Sequence, residues 1–269
     1  MEPALVEIIT RGNWYHTFSF GDLKTNGVYD LRDVVEKIPW PSMLDKTVLD
    51  VGCSDGFFSM FFAETLGAKK VFGLDSNVYN GEVAVNVLSR TLQDYEKKYN
   101  RLNDFTFLGE QYRSLNLTDC NKFKFIKHAL SCESLEFITG SIYDLTKSKL
   151  SADIVFCGSL LEHLRDPISA IENLYEATKD ICIIDVSSVI RLPFRFIPIP
   201  LMTYTGGGGA FFNFNYSAVK AMMQSVGFHS VNKLVSYKVR NTRNKRVRKN
   251  TVIIGKKNSS EVISIEAAG

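Results

Sequence analysis

The chain has 269 residues, 45% of them hydrophobic and 12% aromatic, which is enough for a packed core and too apolar for a disordered chain. Lys and Arg number 32 against 29 Asp and Glu, and a net charge of +3 implies no polyanionic partner by itself. No run approaches the roughly 18 apolar residues that span a bilayer, the start Met1-Glu2-Pro3-Ala4 lacks the parts of a secretory signal, and the five scattered cysteines (53, 120, 132, 157, 182) contain no CxxC. Together these features lead us to expect reduced thiols in a cytoplasmic protein.

In chain order, short β-branched runs alternate with helical patterns. The expected strands are Thr47–Val51, Lys70–Leu74, Leu135–Thr139, Ile154–Cys157 and Ile181–Val186, each apolar on both faces and followed by Gly, Asp or Ser. Buried parallel strands read this way. Val85, Leu88, Leu92 and Tyr95 share a helical face within an expected helix over 82–97, itself part of a long insertion over about 77–121. Asp166-Pro167 supplies an N-cap and a first-turn proline to a helix carrying Ile168, Ile171 and Leu174. Residues 191–215 are rich in proline, aromatics and glycine without a period, and are expected to form a loop in which Gly206–Gly209 lets a lid open and shut. A helix over Tyr216–Val226 follows, then strands over Ser230–Tyr237 and Thr251–Gly255. Between these strands Lys238, Arg240, Arg243, Lys245, Arg246, Arg248 and Lys249 concentrate positive charge, expected to lie in a solvated hairpin turn. The small, polar stretch 258–269 is expected to fray. The expected fold class is α/β, a mostly parallel Rossmann-like sheet with right-handed crossovers and an antiparallel C-terminal hairpin.

The most informative segment is Val48-Leu49-Asp50-Val51-Gly52-Cys53-Ser54-Asp55-Gly56-Phe57-Phe58. A buried strand runs through a turn of small residues into a helix, where glycines allow close approach of a ligand and the helix start offers N–H groups. The next strand ends at Asp75-Ser76. Asp75 lies 19 residues after Gly56, a spacing that suits a carboxylate binding both ribose hydroxyls. A dinucleotide fingerprint needs glycine at 52, 54 and 57, but Ser54 and Phe57 stand at two of those positions, and no P-loop signature occurs.

The remaining pattern, Asp50-x-Gly52-x-Ser54-x-Gly56, resembles the first motif of class I S-adenosyl-L-methionine (SAM)-dependent methyltransferases, with serine for the middle glycine. Phe137 to Leu145, Asp153 to Pro167 (containing Glu162-His163-Leu164-Arg165-Asp166-Pro167) and Val226-Gly227-Phe228 resemble later motifs of that superfamily, in order. The resemblance implies a seven-stranded sheet, a SAM-binding domain over 41–257 behind an N-terminal helical cap over 1–40, and release of S-adenosyl-L-homocysteine (SAH). It implies cofactor contacts from Asp50, Gly52, Cys53, Ser54, Gly56, Phe57, Asp75, Ser76, Ser141, Ile142, Cys157, Gly158 and Ser159. Trp14-Tyr15-His16, with Gly27-Val28-Tyr29-Asp30, is similar to a subgroup that includes the tRNA wobble-uridine carboxymethyltransferase. That enzyme uses carboxy-SAM and has a tyrosine where this chain has Glu162. An acid there repels a carboxylate, which favours ordinary SAM.

His16 and His163 are the candidate general bases. Trp14, Tyr15, Tyr204 and Phe212 are candidate walls around the acceptor, and Asn213 and Asn215 could hydrogen-bond it. No metal cluster is expected. The leading expectation is methyl transfer to a small molecule. The alternatives are tRNA modification through the basic 238–249 segment, and a SAM-binding protein without catalysis.

Overall fold

The computed structural model describes residues 3–76, 119–187, 199–205 and 210–258. The expected 82–97 helix, the glycine run 206–209 and the tail from 259 lie outside the described residues.

A seven-stranded sheet organises the chain. In sequence its strands are β3 (Thr47–Val51), β4 (Lys70–Asp75), β5 (Leu135–Thr139), β6 (Ala152–Gly158), β7 (Thr178–Ser187), β10 (Ser230–Arg240) and β11 (Val247–Lys256). Their order across the sheet is β10-β11-β7-β6-β3-β4-β5. The five strands from β5 to β7 are parallel, and β11 pairs antiparallel with both β7 and β10. The chain moves outward in one direction from β3 through β4 to β5, then returns to β6 on the other side of β3. The switch point therefore lies where β3 and β6 end, at Gly52 and Gly158. In open α/β sheets, ligands bind at such a crevice.

Side-chain alternation sends successive strand residues to opposite faces. Val48, Ile154, Phe156 and Ile183 join one buried layer with Trp14, Phe18, Phe57, Phe58 and Phe62. Leu49, Val51, Val155, Cys157 and Ile184 join the other with Leu174, Val219 and Met223. The first layer is covered by α3 (Phe57–Met60), its continuation over Phe61–Thr65, and α4 (Asp119–Ala129). The second is covered by α6 (Pro167–Ala177) and α7 (Tyr216–Ser225); the single turn α5 (Leu145–Ser148) precedes β6. Asp166 caps α6 as expected, its Oδ1 accepting from Ser169 N at 3.0 Å.

Ahead of the sheet come α1 (Pro3–Arg11), the two-residue strands β1 (Ser19–Phe20) and β2 (Leu23–Lys24), and the short helix α2 (Arg32–Val35). The expected lid region contributes β8 (Met202–Tyr204) and β9 (Phe212–Phe214), an antiparallel pair with Tyr204 opposite Phe212.

The basic hairpin differs from expectation. Its strands reach Arg240 and start again at Val247, so only 241–246 form the turn. The turn is also anchored: Thr242 N donates to Val28 O at 2.8 Å, Thr242 Oγ1 donates to Gly27 O at 2.6 Å, and Tyr29 bridges to Asn241. Lys238, Arg240, Arg243, Lys245, Arg246 and Lys249 are exposed, but Arg248 is turned inward. Val239 on one strand and Arg248 on the other turn inward between exposed neighbours, and Asn250 turns inward two residues on, so the two-residue alternation runs on through the charged stretch and the ladder extends.

Candidate active site

The glycine turn is held by hydrogen bonds to the next strand. Gly52 N and Cys53 N donate to Leu74 O at 2.8 and 3.2 Å, and Ser54 N donates to Asp75 Oδ2 at 3.0 Å. Asp75, at the end of β4, is thereby tied to the turn and stands beside it, half-buried. Gly52 (φ 77°) and Gly56 (φ 85°) occupy the left-handed region, and a side chain at Gly52 would come within 2.9 Å of Leu160. Ser54 takes the same conformation (φ 49°) where the resembling motif has glycine.

Asp50 is buried, and Ser59 Oγ donates to its Oδ2 at 2.6 Å. Burial, reinforced by the charges of Asp75 and Asp55, pushes its carboxyl up to about 7 despite that bond. Cys53 in the turn and Cys157 near the end of β6 are buried thiols pushed well above their ordinary range by desolvation, so they pack as apolar groups. Ser76 is exposed. Ser141 Oγ accepts from Tyr143 N at 3.2 Å, capping a short turn over Ile142–Asp144 in which Ile142 is buried.

Sequence reasoning did not single out Asp55, which the structure makes central to the N-terminal segment. It is fully buried; its Oδ2 accepts from Tyr15 N at 2.9 Å and His16 N at 2.8 Å, and its Oδ1 lies 2.6 Å from His16 Nδ1. Burial would raise this carboxyl, but the neighbouring His16 and Lys122 hold it below the usual carboxylate range. His16 also stacks on Phe57, with ring centroids 5.0 Å apart. No local pattern flags Asp55, because its partner lies 39 residues earlier in the chain. His163 is exposed on the turn over Leu161–His163.

The expected acceptor wall is brought together only in part. Trp14 lies inside the core, packed on Phe18 and Phe125, and its Nε1 donates to Ile8 O at 3.0 Å. Tyr204 is 68% exposed and Phe212 half-buried. Asn215 caps α7 through Ala218 N at 2.8 Å and holds Leu201 N and Ile199 O, so its amide is spent on its own loop. Tyr15, by contrast, reaches Arg248, and burial raises its phenol to about 12 against the pull of that guanidinium.

Arg248 belongs to a buried polar group at the ends of β6 and β7. Its guanidinium sits 4.4 Å over the Tyr29 ring, and its Nη2 donates to Ser159 Oγ at 3.4 Å. Asn250 Nδ2 lies 3.1 Å from both Ser159 Oγ and Asp185 Oδ2, and the Tyr237 hydroxyl donates to the same Asp185 oxygen. Burial pushes Asp185 up to about 6, and it also raises Glu162, which His163 and Arg248 pull back only in part. The β ladder accounts for this gathering. Asn250 faces Tyr237 on one side and Ser187 on the other, so Asn250, Arg248, Tyr237 and Asp185 share one face of the sheet.

A family model described as a methyltransferase domain matches residues 24–232. The chain belongs to this family. Among curated relatives, a tRNA U34 carboxymethyltransferase of Helicobacter pylori is 28% identical, the match covering 94% of this chain and 83% of that protein. The enzyme of the same name from Helicobacter acinonychis is 26% identical, over 84% of this chain and 73% of its own. Among solved structures, the N-terminal domain of EvdMO1, in the presence of SAH and D-fucose, superposes with a TM-score of 0.54 at 12% identity, covering 90% of this chain and 91% of that one. An O-methyltransferase family protein from Burkholderia thailandensis gives 0.51 at 13% identity, over 85% of this chain and 55% of its own. At such identities the structural likeness concerns the fold. SAM-dependent methyl transfer, which the resemblance of the Asp50–Gly56 motif implies, is the activity that the family supports. Among the described residues of this methyltransferase, no helix is long and apolar enough to cross a membrane.

Proposed function

We propose that this methyltransferase moves a methyl group from SAM to a small-molecule acceptor at the crevice between β3 and β6. The single observation that carries the reading is the bond between Ser54 N and Asp75 Oδ2 at 3.0 Å, which fixes a glycine turn and an acid side by side on adjacent strand ends. That arrangement fits a nucleoside: Asp75 meets the ribose hydroxyls, while the amino acid end passes over the turn between the ends of β3 and β6. Asp50, buried against Ser59, supports the turn from beneath. When bound, SAM supplies an electrophilic methyl on sulfur, so the chain's own task is to position, orient and keep water out. Tyr15 and Arg248 close the site on the N-terminal side, with the segment fixed by the His16–Asp55 pair. Titration calorimetry with SAH tests the reading: the wild type should bind, and Asp75→Ala should bind about 10- to 100-fold more weakly, the loss of hydrogen bonds to a charged group. Absence of heat with the wild type would end this reading.

A second reading, tRNA modification, draws on the relatives' activity and on the six exposed cations of the hairpin. In that reading Arg248 is the group that would answer a carboxylate on the transferred unit. Glu162 and Asp185 beside it oppose such a charge, which is why ordinary SAM leads. Labelled-methyl transfer to a metabolite pool and to total RNA, run side by side, separates the two. Transfer to RNA that falls steeply as salt rises would favour the second. No transfer to either, with SAH still bound, would leave a binding protein without catalysis.

A further inference from the structure

Five buried side-chain atoms at one end of the sheet make no hydrogen bond of normal geometry among the described residues: Glu162 Oε1 and Oε2, Asp185 Oδ1, Arg248 Nε and Asn250 Oδ1, although the Ser187 backbone N–H stands close enough to the Glu162 carboxyl to pull it down. They do not lie apart. Asn250 Nδ2 is 3.1 Å from Asp185 Oδ2, Arg248 and Asn250 both reach Ser159 Oγ, and Glu162 feels the charge of Arg248 and helps push the Asp185 carboxyl up. Glu162, Asp185 and Asn250 are 4%, 3% and 1% exposed. Leaving such atoms unpaired costs about 1–3 kcal/mol each, and more when they are charged. Five in one place is therefore a site kept open for a partner. Water could satisfy the atoms, but their position marks a ligand. They surround Ser159, the first residue after β6, one strand over from the glycine turn and at the C-terminal edge where these sheets bind ligands.

The chemistry of the five atoms narrows the ligand. Four are acceptors, so the ligand must present several donor hydrogens. The fifth, Arg248 Nε, is a donor and needs a lone pair. An ammonium group would answer the carboxylates but offers no lone pair and would set a cation against the guanidinium. Adjacent hydroxyls offer both.

We propose that Glu162, Asp185, Asn250 and Arg248 form the acceptor subsite, that it takes a small molecule carrying vicinal hydroxyls, and that Glu162 is the general base for the hydroxyl that becomes methylated. This rests on the methyltransferase reading given above. The acceptor oxygen bonds to the methyl carbon as the carbon–sulfur bond breaks. Its proton passes to a Glu162 oxygen, and the electron pair of the broken bond stays on sulfur, leaving SAH. Neither His16, with Nδ1 against Asp55, nor the exposed His163 brings comparable unpaired acceptors to the end of β6. The groups facing Glu162 are Tyr15 from the N-terminal segment, Cys157 on β6, Asp185 on β7, Arg248 on β11 and His163 on its own turn. Tyr237 on β10 bears on it through Asp185.

The test uses the full chain with labelled SAM and the small-molecule fraction of a cell extract, with total RNA as a second arm. The wild type should place label on a hydroxyl oxygen of a small molecule. Glu162→Gln should lower transfer about 100-fold or more and erase the acidic limb of the pH profile. Its SAH affinity should stay within a factor of about two, well below one hydrogen bond's worth. Its melting temperature at pH 8 should be equal or higher, because an unpaired buried charge has been removed. Glu162→Asp should recover part of the activity. The proposal is overturned if Glu162→Gln transfers nearly as well as wild type, if it loses SAH binding in step with transfer, or if it melts lower or fails to fold, which marks a structural residue. It is also overturned if the label lands on RNA, or on nitrogen, carbon or sulfur, or on nothing while SAH still binds. A wild type that does not bind SAH would overturn the methyltransferase reading instead.

Discussion

At the residue scale, the site depends on side chains whose roles come from distant partners. Asp55 receives two backbone N–H groups and the His16 ring, and thereby fastens the N-terminal segment to the glycine turn. Asp55→Ala would leave those donors buried and unanswered. Chemical denaturation should show a loss of about 3–5 kcal/mol, the usual cost of breaking a buried charged pair, with Asp55→Asn losing less. Such a residue is hard to find in the sequence, where it reads as one more small polar member of a glycine-rich turn. Arg248 is a parallel case. Within a run of seven cations it carries no mark of its own, and only the ladder register, Arg248 opposite Val239 and Asn250 opposite Tyr237, reveals that it faces inward. Asp75 and Gly52, by contrast, were legible at once, because strand ends and glycine spacing are local signals.

At the element scale, the parallel strands are read well because burial on both faces leaves an unbroken apolar run. β3 and β5 match their expected bounds, and β6 and β7 extend theirs by one to three residues at each end. The basic hairpin is longer than its sequence suggests because a run of charge looks like a turn, while side-chain alternation continues beneath it. The turn into α3 shows why its glycines are needed. Gly56 caps the helix at φ 85°, and a side chain there would come within 2.7 Å of Phe123 on α4. Gly56→Ala should lose about 1–2 kcal/mol from the left-handed backbone alone, and more from displacing that ring, as read by denaturant midpoint. Ser54 bears a left-handed backbone that glycine adopts without strain, so Ser54→Gly should be neutral to mildly stabilising in the same measurement.

At the scale of the whole molecule, buried carboxyls set the response to pH. Asp50 and Asp185, at about 7 and about 6, hold protons more tightly folded than unfolded, where carboxyls titrate near 4. Their contribution to stability is complete below the unfolded value and is lost as pH rises through the folded values. Asp55, Asp30, Asp153 and Asp166 are shifted down and contribute in the opposite sense, but only below about pH 4, where they begin to protonate. Between pH 5 and 8 the raised pair dominates, so the melting temperature should fall across that interval. Asp50→Asn should flatten the slope. A melting temperature that climbs from pH 5 to 8 would contradict this assignment.

The order of strands also bears on how the protein is made. β11, synthesised after every other strand of the sheet, is an interior strand, seated between β7 and β10. Until the ribosome has released residues 247–256, the nascent chain presents the bare edge of β7, with its Ile181, Ile183 and Ile184, to whatever else is extended nearby. Truncation upstream of Val247 should therefore yield an aggregating polypeptide, not a smaller enzyme.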